Sequence, residues 1–505
     1  MVKMGGGNLN SPRKRKGFTL IELLAVIVIL AVIALIATPI IVGIINDAEK
    51  KAFEDTVYGI VKAGELHYGQ QIMKDSDYIG ETLFLEKDAL SYSGEKVKGT
   101  VLIENDGKVT AAVYDKKNRW CGIKKYDSEK AIIEKYEKGN CNVSFVYPIM
   151  QKWNSSSTTD FHNEAYRLKI KTAEFVESKN IPAEAIETWD VSESKDGSVM
   201  AWVTDAGEGF YHLYIGGNKR VSANQDSSYL FYEFTNIENI NLDLLYTGNT
   251  TNMYGMFYNC KNLTQLNISG FDTNKVTNMG WMFYSCSKLS YMNVSHFDTS
   301  NVVNMASMFH DCSSLLELDV SSFNTSKVTD MNYMFTNCNN VTKLDVSHFY
   351  TDKVTNMKFM FFTCGSLTEL DVSHFNTSNV TNMEGMFTNC RNLAKLDVSH
   401  FDTSKVTNMK SIFSNCSNLT RLNISNFDTS HVTDISSMFY NCSNLEELNL
   451  GILEHDKVTT TEQMFNFAPN TTKIIVGDVA TQTYILGLPD TDRPAAWNTS
   501  NVVIG

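Results

Sequence analysis

The sequence predicts an α+β protein in which a long membrane-spanning helix and a small α+β head precede a solenoid of short repeats with a parallel β-sheet. Residues 23–45 carry no charge, so as a helix they span the hydrocarbon core of a bilayer, about 30 Å thick. Phenylalanine and cysteine recur every 26 residues from Phe257 and Cys260 onward. A fixed period of this size is typical of stacked supersecondary units. Between these regions lie short runs with the alternation of strands.

The first element is the apolar helix behind a basic flank. The flank, 13–16, is wholly basic, so the positive-inside rule keeps the N-terminus in the cytoplasm and exports the remainder. A signal peptide and a plain signal anchor are alternative interpretations, although Leu35 before Ala37 fits a signal-peptidase site poorly. Neither alternative accounts for Glu22, because a carboxylate in an apolar segment is costly until a cation pairs with it.

The run GFTLIELL at 17–24 resembles the class III signal of type IV prepilins. The resemblance implies a leader, 1–17, that a prepilin peptidase removes between Gly17 and Phe18 before the new N-terminal residue is methylated. It also implies that Glu22 pairs with the N-terminal amine of another pilin subunit. Glu22 is therefore the predicted determinant of assembly.

After the cleavage site the sequence predicts a long helix and then a small head. The helix is predicted over 18–68, with its transmembrane part at 20–45, because amphipathic helical spacing continues beyond the apolar stretch. The head, 69–150, holds the two cysteines outside the repeats, Cys121 and Cys141. Outside the cytoplasm these cysteines are candidates for a disulfide, and two reduced, buried thiols are the alternative. Pilin heads contain similar bridges, which agrees with the disulfide.

The rest of the chain is predicted to comprise a polar linker, an N-terminal cap, the repeats and a C-terminal cap. Five consecutive serines and threonines, 155–159, predict a flexible linker at 151–164. The repeats occupy 237–470, between a predicted N-terminal cap at 165–236 and a C-terminal cap at 471–505. Caps are expected because the open sheet edges of such an array otherwise promote aggregation.

Each repeat reads roughly NMxxMFxxCxxLxxLDVSxFDTSxVT. Met334, Phe335 and Cys338 have near-helical spacing, whereas Leu344 and Val346 alternate as in a strand. We therefore expect one short strand and one helical turn in each coil. The unit closely resembles the BspA-like leucine-rich repeat, the 26-residue repeat of bacterial surface proteins. The flanking blocks resemble the segments that precede and close such arrays.

The outward positions of the predicted strands form two charged columns. One alternates in sign, which favours cross-strand ion pairs, and the other is entirely aspartate. Local hydrogen bonds relieve the like charges in one interpretation, and calcium or a basic ligand does so in another. The possible ligand-facing sheet positions are Glu317, Asp319, Lys343, Asp345, Glu369, Asp371, Lys395 and Asp397.

Two further columns offer metal-binding chemistry but have simpler interpretations. The repeat cysteines lie between inward-facing Phe and Leu positions and form no CxxC pair, so we interpret them as small core residues. Histidines precede the repeat phenylalanines, and a zinc or pH-sensing ladder competes there with simple duplication of the repeat. The column is His296, His348, His374 and His400. No metal or other cofactor is predicted.

Composition limits the function. The net charge is −13, and removal of the basic leader makes the mature chain more acidic still. An acidic chain is an unfavourable partner for nucleic acid. No catalytic motif occurs, so we do not expect an enzyme. The resemblances imply a type IV pilus-associated surface protein, single-pass in the membrane before assembly, that displays its repeats for adhesion to a protein or glycan. The alternative is a pseudopilin or minor pilin that primes assembly and uses the repeats as a spacer. Exposed aromatic patches on the sheet face favour adhesion, and a uniformly charged face favours the spacer.

Overall fold

The computed structural model forms two compact units, 1–143 and 144–505. It describes residues 20–74, 81–85, 90–92, 94, 96–103, 107–115, 117, 119–126, 128–136, 147–217 and 220–505, with the backbone alone at 20–43, 81, 82 and 84.

The first unit packs one long helix against an antiparallel sheet. Its elements are α1 (Leu20–Ile72), β1 (Glu81–Phe84), β2 (Val97–Ile103), β3 (Val109–Asp115), β4 (Trp120–Lys124) and β5 (Ile132–Lys135), with the strands paired in chain order. Phe53, Val57 and Ile60 share one face of α1 and are buried against the sheet. Gly64 continues this face, since a Cβ there would lie 2.8 Å from a Val109 methyl group. The amphipathic half of the helix therefore forms the core of the head.

The features that concern the membrane lie at the start of the chain. Gly17 and Phe18 are outside the described residues, and so is the side chain of Glu22, which lies within the predicted membrane segment, 20–45. Over the part of the chain that the structure describes, no helix combines the length and hydropathy needed to cross a bilayer. Cleavage, methylation and pairing of Glu22 stay predictions.

The second unit begins with a mixed five-stranded sheet. Its elements are α2 (Glu164–Arg167), β6 (Ile170–Val176), β7 (Glu187–Asp190), β8 (Met200–Gly207), β9 (Phe210–Gly216), β10 (Val221–Ser222), β11 (Asn239–Asn241) and β12 (Leu245–Tyr246). The five-stranded sheet has the order β11-β6-β9-β8-β7, and β10 pairs with β12. Strand β11 belongs to the first coil and pairs in parallel with β6. The sheet therefore continues directly into the coils.

The segment predicted as a linker, 151–164, differs from that prediction. Trp153 and Phe161 are buried in the core of the second unit. The indole N–H of Trp153 donates to Asp160 Oδ2 at 2.7 Å. The serines and threonines do form an exposed turn, but the aromatic residues on either side of them attach the segment to the following sheet.

The coils are joined by bridges between residues that are 26 positions apart. Single parallel bridges run in this step from Asp226 to Thr460. In the turn segment after each bridge, backbone N–H groups of successive residues alternate between two acceptors. One N–H donates to a carbonyl within its own coil, and the following N–H donates to a carbonyl of the next coil. Met334 N–H donates to Met331 O at 3.2 Å, whereas Phe335 N–H donates to Met360 O in the next coil at 3.0 Å. The predicted helical turn is therefore a series of β-turns whose remaining N–H groups hold the stack together.

The predicted strand forms in the first coil, as β11, and otherwise only toward the C-terminus. The parallel strands there are β13 (Arg421–Asn423), β14 (Glu447–Gly451), β15 (Lys473–Val476) and β16 (Val502–Ile504), with α3 at Val479–Gly487. In a middle coil, Leu344 and Val346 are buried and Asp345 is exposed, as alternation predicts. Asp345 Oδ1 accepts the N–H of Ser347, and Asn423 at the end of β13 accepts the equivalent bond from Ser425. This turn therefore occurs both with and without strand pairing.

Buried columns fill the coils. Phenylalanine rings of successive coils stack with centroids 5.7 to 5.9 Å apart. The repeat cysteines are free and buried, and each thiol lies against a carbonyl oxygen 29 residues earlier, as for Cys338 and Phe309 O at 3.3 Å. Buried threonines donate to a carbonyl of the next coil. They are Thr247, Thr273, Thr299, Thr325, Thr351, Thr377, Thr403 and Thr429.

Candidate functional site

The predicted sheet positions are exposed but do not form the expected ion pairs. Within the described residues, no salt bridge joins Glu317, Lys343, Glu369 and Lys395. The corresponding pair that does form, Lys473 with Glu447 at 3.6 Å, lies on two hydrogen-bonded strands, β15 and β14. Without a strand ladder the middle side chains are not held opposite each other. This face presents separate charges of both signs.

The aspartate column is stabilised locally. Asp319, Asp345, Asp371 and Asp397 each accept the N–H of the serine two residues later at 2.9 to 3.0 Å. Hydrogen bonds from these serine hydroxyl and N–H groups lower the pKa of each carboxyl group. These bonds account for the like-charge column. Over the described residues, no three His, Cys, Asp or Glu side chains are arranged to hold a metal ion.

The histidine column connects coils. The Nε2 atoms of His296, His348 and His400 lie 2.9 to 3.0 Å from a backbone carbonyl oxygen 28 residues earlier. His374 instead contacts the Ser373 hydroxyl group through Nδ1 at 3.3 Å. Burial lowers the pKa of His296. Three of the four rings therefore act as hydrogen-bonding struts between coils.

The candidate disulfide is only half described. Cys121 is buried in β4, and Cys141 lies outside the described residues. The pairing stays a prediction.

The most distinctive surface of the second unit is a band of aromatic side chains along the turn segments. We call it the aromatic band, and it consists of Tyr229, Tyr232, Tyr254, Tyr258, Trp281, Tyr284, His310, Tyr333, Phe359 and Phe362. All ten side chains are partly exposed. Their rings form a chain of contacts from coil to coil, with centroids 4.4 to 5.9 Å apart. The band covers the N-terminal coils and ends where Gly385 and Thr388 replace its rings.

Four band residues have an unfavourable backbone. Tyr229, Trp281, Tyr333 and Phe359 have φ of 62°, 57°, 53° and 52°, the left-handed region that a type II turn requires at its third residue. Bulky residues there cost about 1–3 kcal/mol each. Gly255 and Gly385 occupy the same position in other coils without this cost. Packing of the coils does not require aromatic residues at this position, since glycine also serves.

Two coils of the band lack a ring at this backbone position, at Gly255 and Ser307, and a pocket opens at Ser307. Ser307 has the same backbone position as Trp281 and Tyr333, one coil from each. The pocket has a volume of about 440 Å³. It is lined by Tyr254, Trp281, Tyr284, Asn304, Ala306, Ser307, His310, Asp330, Asn332 and Tyr333. We call it the Ser307 slot.

The rim of the Ser307 slot is polar. Asp330 is half-buried, and burial raises the pKa of its carboxyl group. Its Oδ1 accepts the N–H of Asn332 at 3.0 Å, and its Oδ2 lies 3.4 Å from Asn332 Nδ2. Asn304 accepts the N–H of Ala306 through Oδ1 at 2.9 Å, which leaves its amide nitrogen without a partner among the described residues. The slot therefore combines aromatic walls with amide and carboxylate groups.

This surface was not predicted. The predicted ligand-facing positions are the outward positions of the strands, whereas the band occupies the variable positions of the turn segment. The available signal was the clustering of aromatic residues at those positions in the first coils and of Ser, Lys and Glu in later coils. The sheet face, where aromatic patches would favour adhesion, carries charges of both signs, and the aromatic band lies on the turn side of the coils.

Two family models match the chain. One, described as prokaryotic N-terminal methylation motif, matches residues 12–38, which include Gly17, Phe18 and Glu22. The other, described as Mycoplasma protein of unknown function, DUF285, has four overlapping placements that together cover just over half of the 505 residues. They are 225–343, 285–370, 315–399 and 362–477. Neither the curated proteins nor the solved structures give a match. The predicted methylation motif is confirmed, and it indicates a pilin-like or secreted surface protein.

Proposed function

We propose that this chain, which belongs to the family described as Mycoplasma protein of unknown function, DUF285, is a minor or tip subunit of a type IV pilus that displays its repeats for adhesion. Prepilin peptidase removes residues 1–17, and Glu22 pairs with other pilin subunits. The chain is single-pass in the cytoplasmic membrane before assembly and carries its second unit outside the cell. Its role is binding and not catalysis.

The proposal treats the coils as a BspA-like, leucine-rich-repeat solenoid. It is supported by the 26-residue step of the bridges and by the buried columns of Phe, Cys and Thr. The sheet at β6 and the parallel strands with α3 at the other end agree with terminal caps. Such an array offers an extended surface at fixed spacing.

The aromatic band is the single observation that carries the adhesive function. Tyrosine and tryptophan are enriched at the centres of protein interfaces because they bury large areas at low entropic cost. The band has these residues in continuous contact at the surface, four of them with a costly backbone that glycine avoids. A spacer needs none of this, which favours adhesion over the assembly-priming alternative.

Substitution of exposed band residues by serine tests the proposal. We would compare the wild type with the Trp281→Ser, Tyr333→Ser double variant in the bacterium that produces the chain, measuring attachment to surfaces coated with mucin or matrix proteins. The matched control is Tyr291→Ser with Tyr350→Ser, which removes two exposed aromatic residues, 63% and 59% accessible, outside the band. Surface display is quantified by antibody in every strain.

The account expects the band variant to lose attachment at unchanged display and the control to retain it. Equal attachment of all three strains contradicts adhesion through the band and favours the spacer. Reduced display of the band variant would call for repetition with Tyr333→Ser alone, since serine already occupies this backbone position at Ser307, Ser411 and Ser437.

A further inference from the structure

At the Ser307 slot no ring stands between Trp281 and Tyr333. Gly255 also lacks a ring at this position, but there Tyr254 contacts both Tyr229 and Trp281. Successive coils are about 4.8 Å apart, so Trp281 and Tyr333 lie two coils apart with one unfilled position between them. The buried phenylalanine column shows that one coil step accommodates one six-membered ring, with centroids 5.7 to 5.9 Å apart. The slot therefore has room for a single flat ring between two aromatic walls.

The wall formed by Trp281 faces the slot without another ring against it. Its ring contacts among the described residues are with Tyr254 and Tyr258 of the preceding coil and Tyr284 of its own coil. On the opposite side, Tyr333 contacts His310 at 5.9 Å, and Ser307 lies at the base of the slot with 5% of its surface exposed. The electron-rich face of an aromatic ring attracts positively polarised C–H groups.

The rim selects among ligands that have such a face. An aromatic side chain of a protein would fill the slot but leave Asp330, Asn332 and the Asn304 amide without new partners, and covering polar groups in this way is unfavourable. A pyranose ring has an apolar C–H face and a periphery of hydroxyl groups. The C–H face can stack on the aromatic walls, and the hydroxyl groups can form hydrogen bonds with the amide and carboxylate groups.

Charge restricts the sugar further. No lysine or arginine is among the described residues that line the slot, whereas a carboxylate is present at Asp330. A sialic acid, a uronic acid or a sulfated sugar would bring a negative charge next to Asp330, and the one described lining side chain that can become a cation, His310, already lies 3.2 Å from Asp311. The net charge of −13 adds to this repulsion.

We propose that the Ser307 slot binds one uncharged pyranose residue of a glycan, stacked between Trp281 and Tyr333 and hydrogen-bonded through its hydroxyl groups to Asp330 and Asn332. This inference rests on the proposed adhesive function and names its ligand class. In the slot the ligand ring takes the place that an aromatic side chain of the chain fills at Trp281 and Tyr333.

The decisive variant supplies the missing ring. Ser307→Tyr places a tyrosine where Trp281, Tyr333 and Phe359 show that a large residue is tolerated, and the new ring occupies the slot. Ser437→Tyr makes the same exchange at an equivalent left-handed position, with φ of 52°, in a coil outside the band. Any general effect of the exchange on folding is therefore shared by the two variants.

The measurement is titration of the full-length, detergent-solubilised chain with uncharged saccharides, methyl glucoside, methyl galactoside, N-acetylglucosamine and their oligomers, by calorimetry and tryptophan fluorescence. We expect binding of at least one saccharide, a loss of about tenfold or more in affinity for Ser307→Tyr, and a change within about twofold for Ser437→Tyr. Trp281→Phe is expected to remove the fluorescence response.

Two results overturn the inference. In one, no saccharide binds, although the Trp281→Ser, Tyr333→Ser strain still loses attachment; adhesion then stands, and its ligand is a protein. In the other, saccharides bind but Ser307→Tyr and Ser437→Tyr have equal affinity, which places the sugar elsewhere. Attachment that is insensitive to every band variant contradicts the proposed function itself, separately from these outcomes.

Discussion

The exchange Thr325→Val is expected to destabilise the repeat region by removing a connection between two coils. Thr325 is fully buried. Its hydroxyl group donates to Tyr350 O at 2.9 Å and accepts Tyr350 N–H at 2.8 Å. Valine has nearly the same shape, so it removes both bonds without leaving a cavity. An unsatisfied buried donor or acceptor costs about 1–3 kcal/mol, and the backbone at Tyr350 is near solvent, so we expect about 2 kcal/mol for the pair.

Two further variants separate the hydrogen bonds from other effects. Thr325→Ser keeps the hydroxyl group and loses one methyl group, a cost of about 0.8 kcal/mol. Thr355→Val removes an exposed hydroxyl group whose contact with the neighbouring coil is 3.4 Å long, and we expect less than about 0.5 kcal/mol. Urea unfolding followed by circular dichroism measures all three. Hydrogen exchange at Tyr350 N–H reports the local opening, since repeat arrays can unfold in part. A loss for Thr325→Val no larger than that for Thr355→Val or Thr325→Ser refutes the reasoning.

Three other expectations follow from burial and backbone geometry. The repeat cysteines should resist alkylation at pH 8 in the native chain and react in denaturant. The reason is that burial raises the pKa of their thiols, that of Cys390 to about 12. Rapid alkylation of the native chain would contradict a buried cysteine column. Gly385→Ala should lower the free energy of unfolding in urea by about 1–3 kcal/mol, since φ of Gly385 is 60° and a Cβ there would overlap the Phe359 ring. Gly270→Ala should be nearly neutral, because a Cβ at Gly270 meets no atom within 4 Å. The lowered pKa of His296 means that the unfolded chain binds more protons below about pH 6.5, so stability should decrease as pH falls through that range; a thermal-melting series in which His296→Asn keeps the full decrease contradicts this assignment.

The sequence predicted the periodic features well because periodicity is a local property. The 26-residue step of Cys and Phe reappears in the bridges and buried columns. The alternation of Leu344, Asp345 and Val346 gave the correct inward and outward sides. It did not give which of these segments pair as strands. Pairing with a neighbouring coil is a tertiary property, and the bond from Ser347 N–H to Asp345 does not decide it, since Asn423 in β13 accepts the same bond from Ser425.

The candidate site was missed for a related reason. Only the outward positions of the predicted strand were interpreted as surface columns. The variable positions of the turn segment also recur every 26 residues and stack in line, so Trp281 and Tyr333 belong to one band. The linker was misjudged because polar residues at 155–159 were given more weight than Trp153 and Phe161 beside them.

Mass spectrometry of the chain from sheared surface filaments, with wild type and Glu22→Val compared, tests the pilus assignment most directly. The account predicts an N-methylated peptide that begins at Phe18 in the filament fraction, and a Glu22→Val chain that is cleaved but stays in the membrane. A mature chain that retains residues 1–17, or one that begins after Ala37, contradicts it and leaves an anchored or secreted repeat protein.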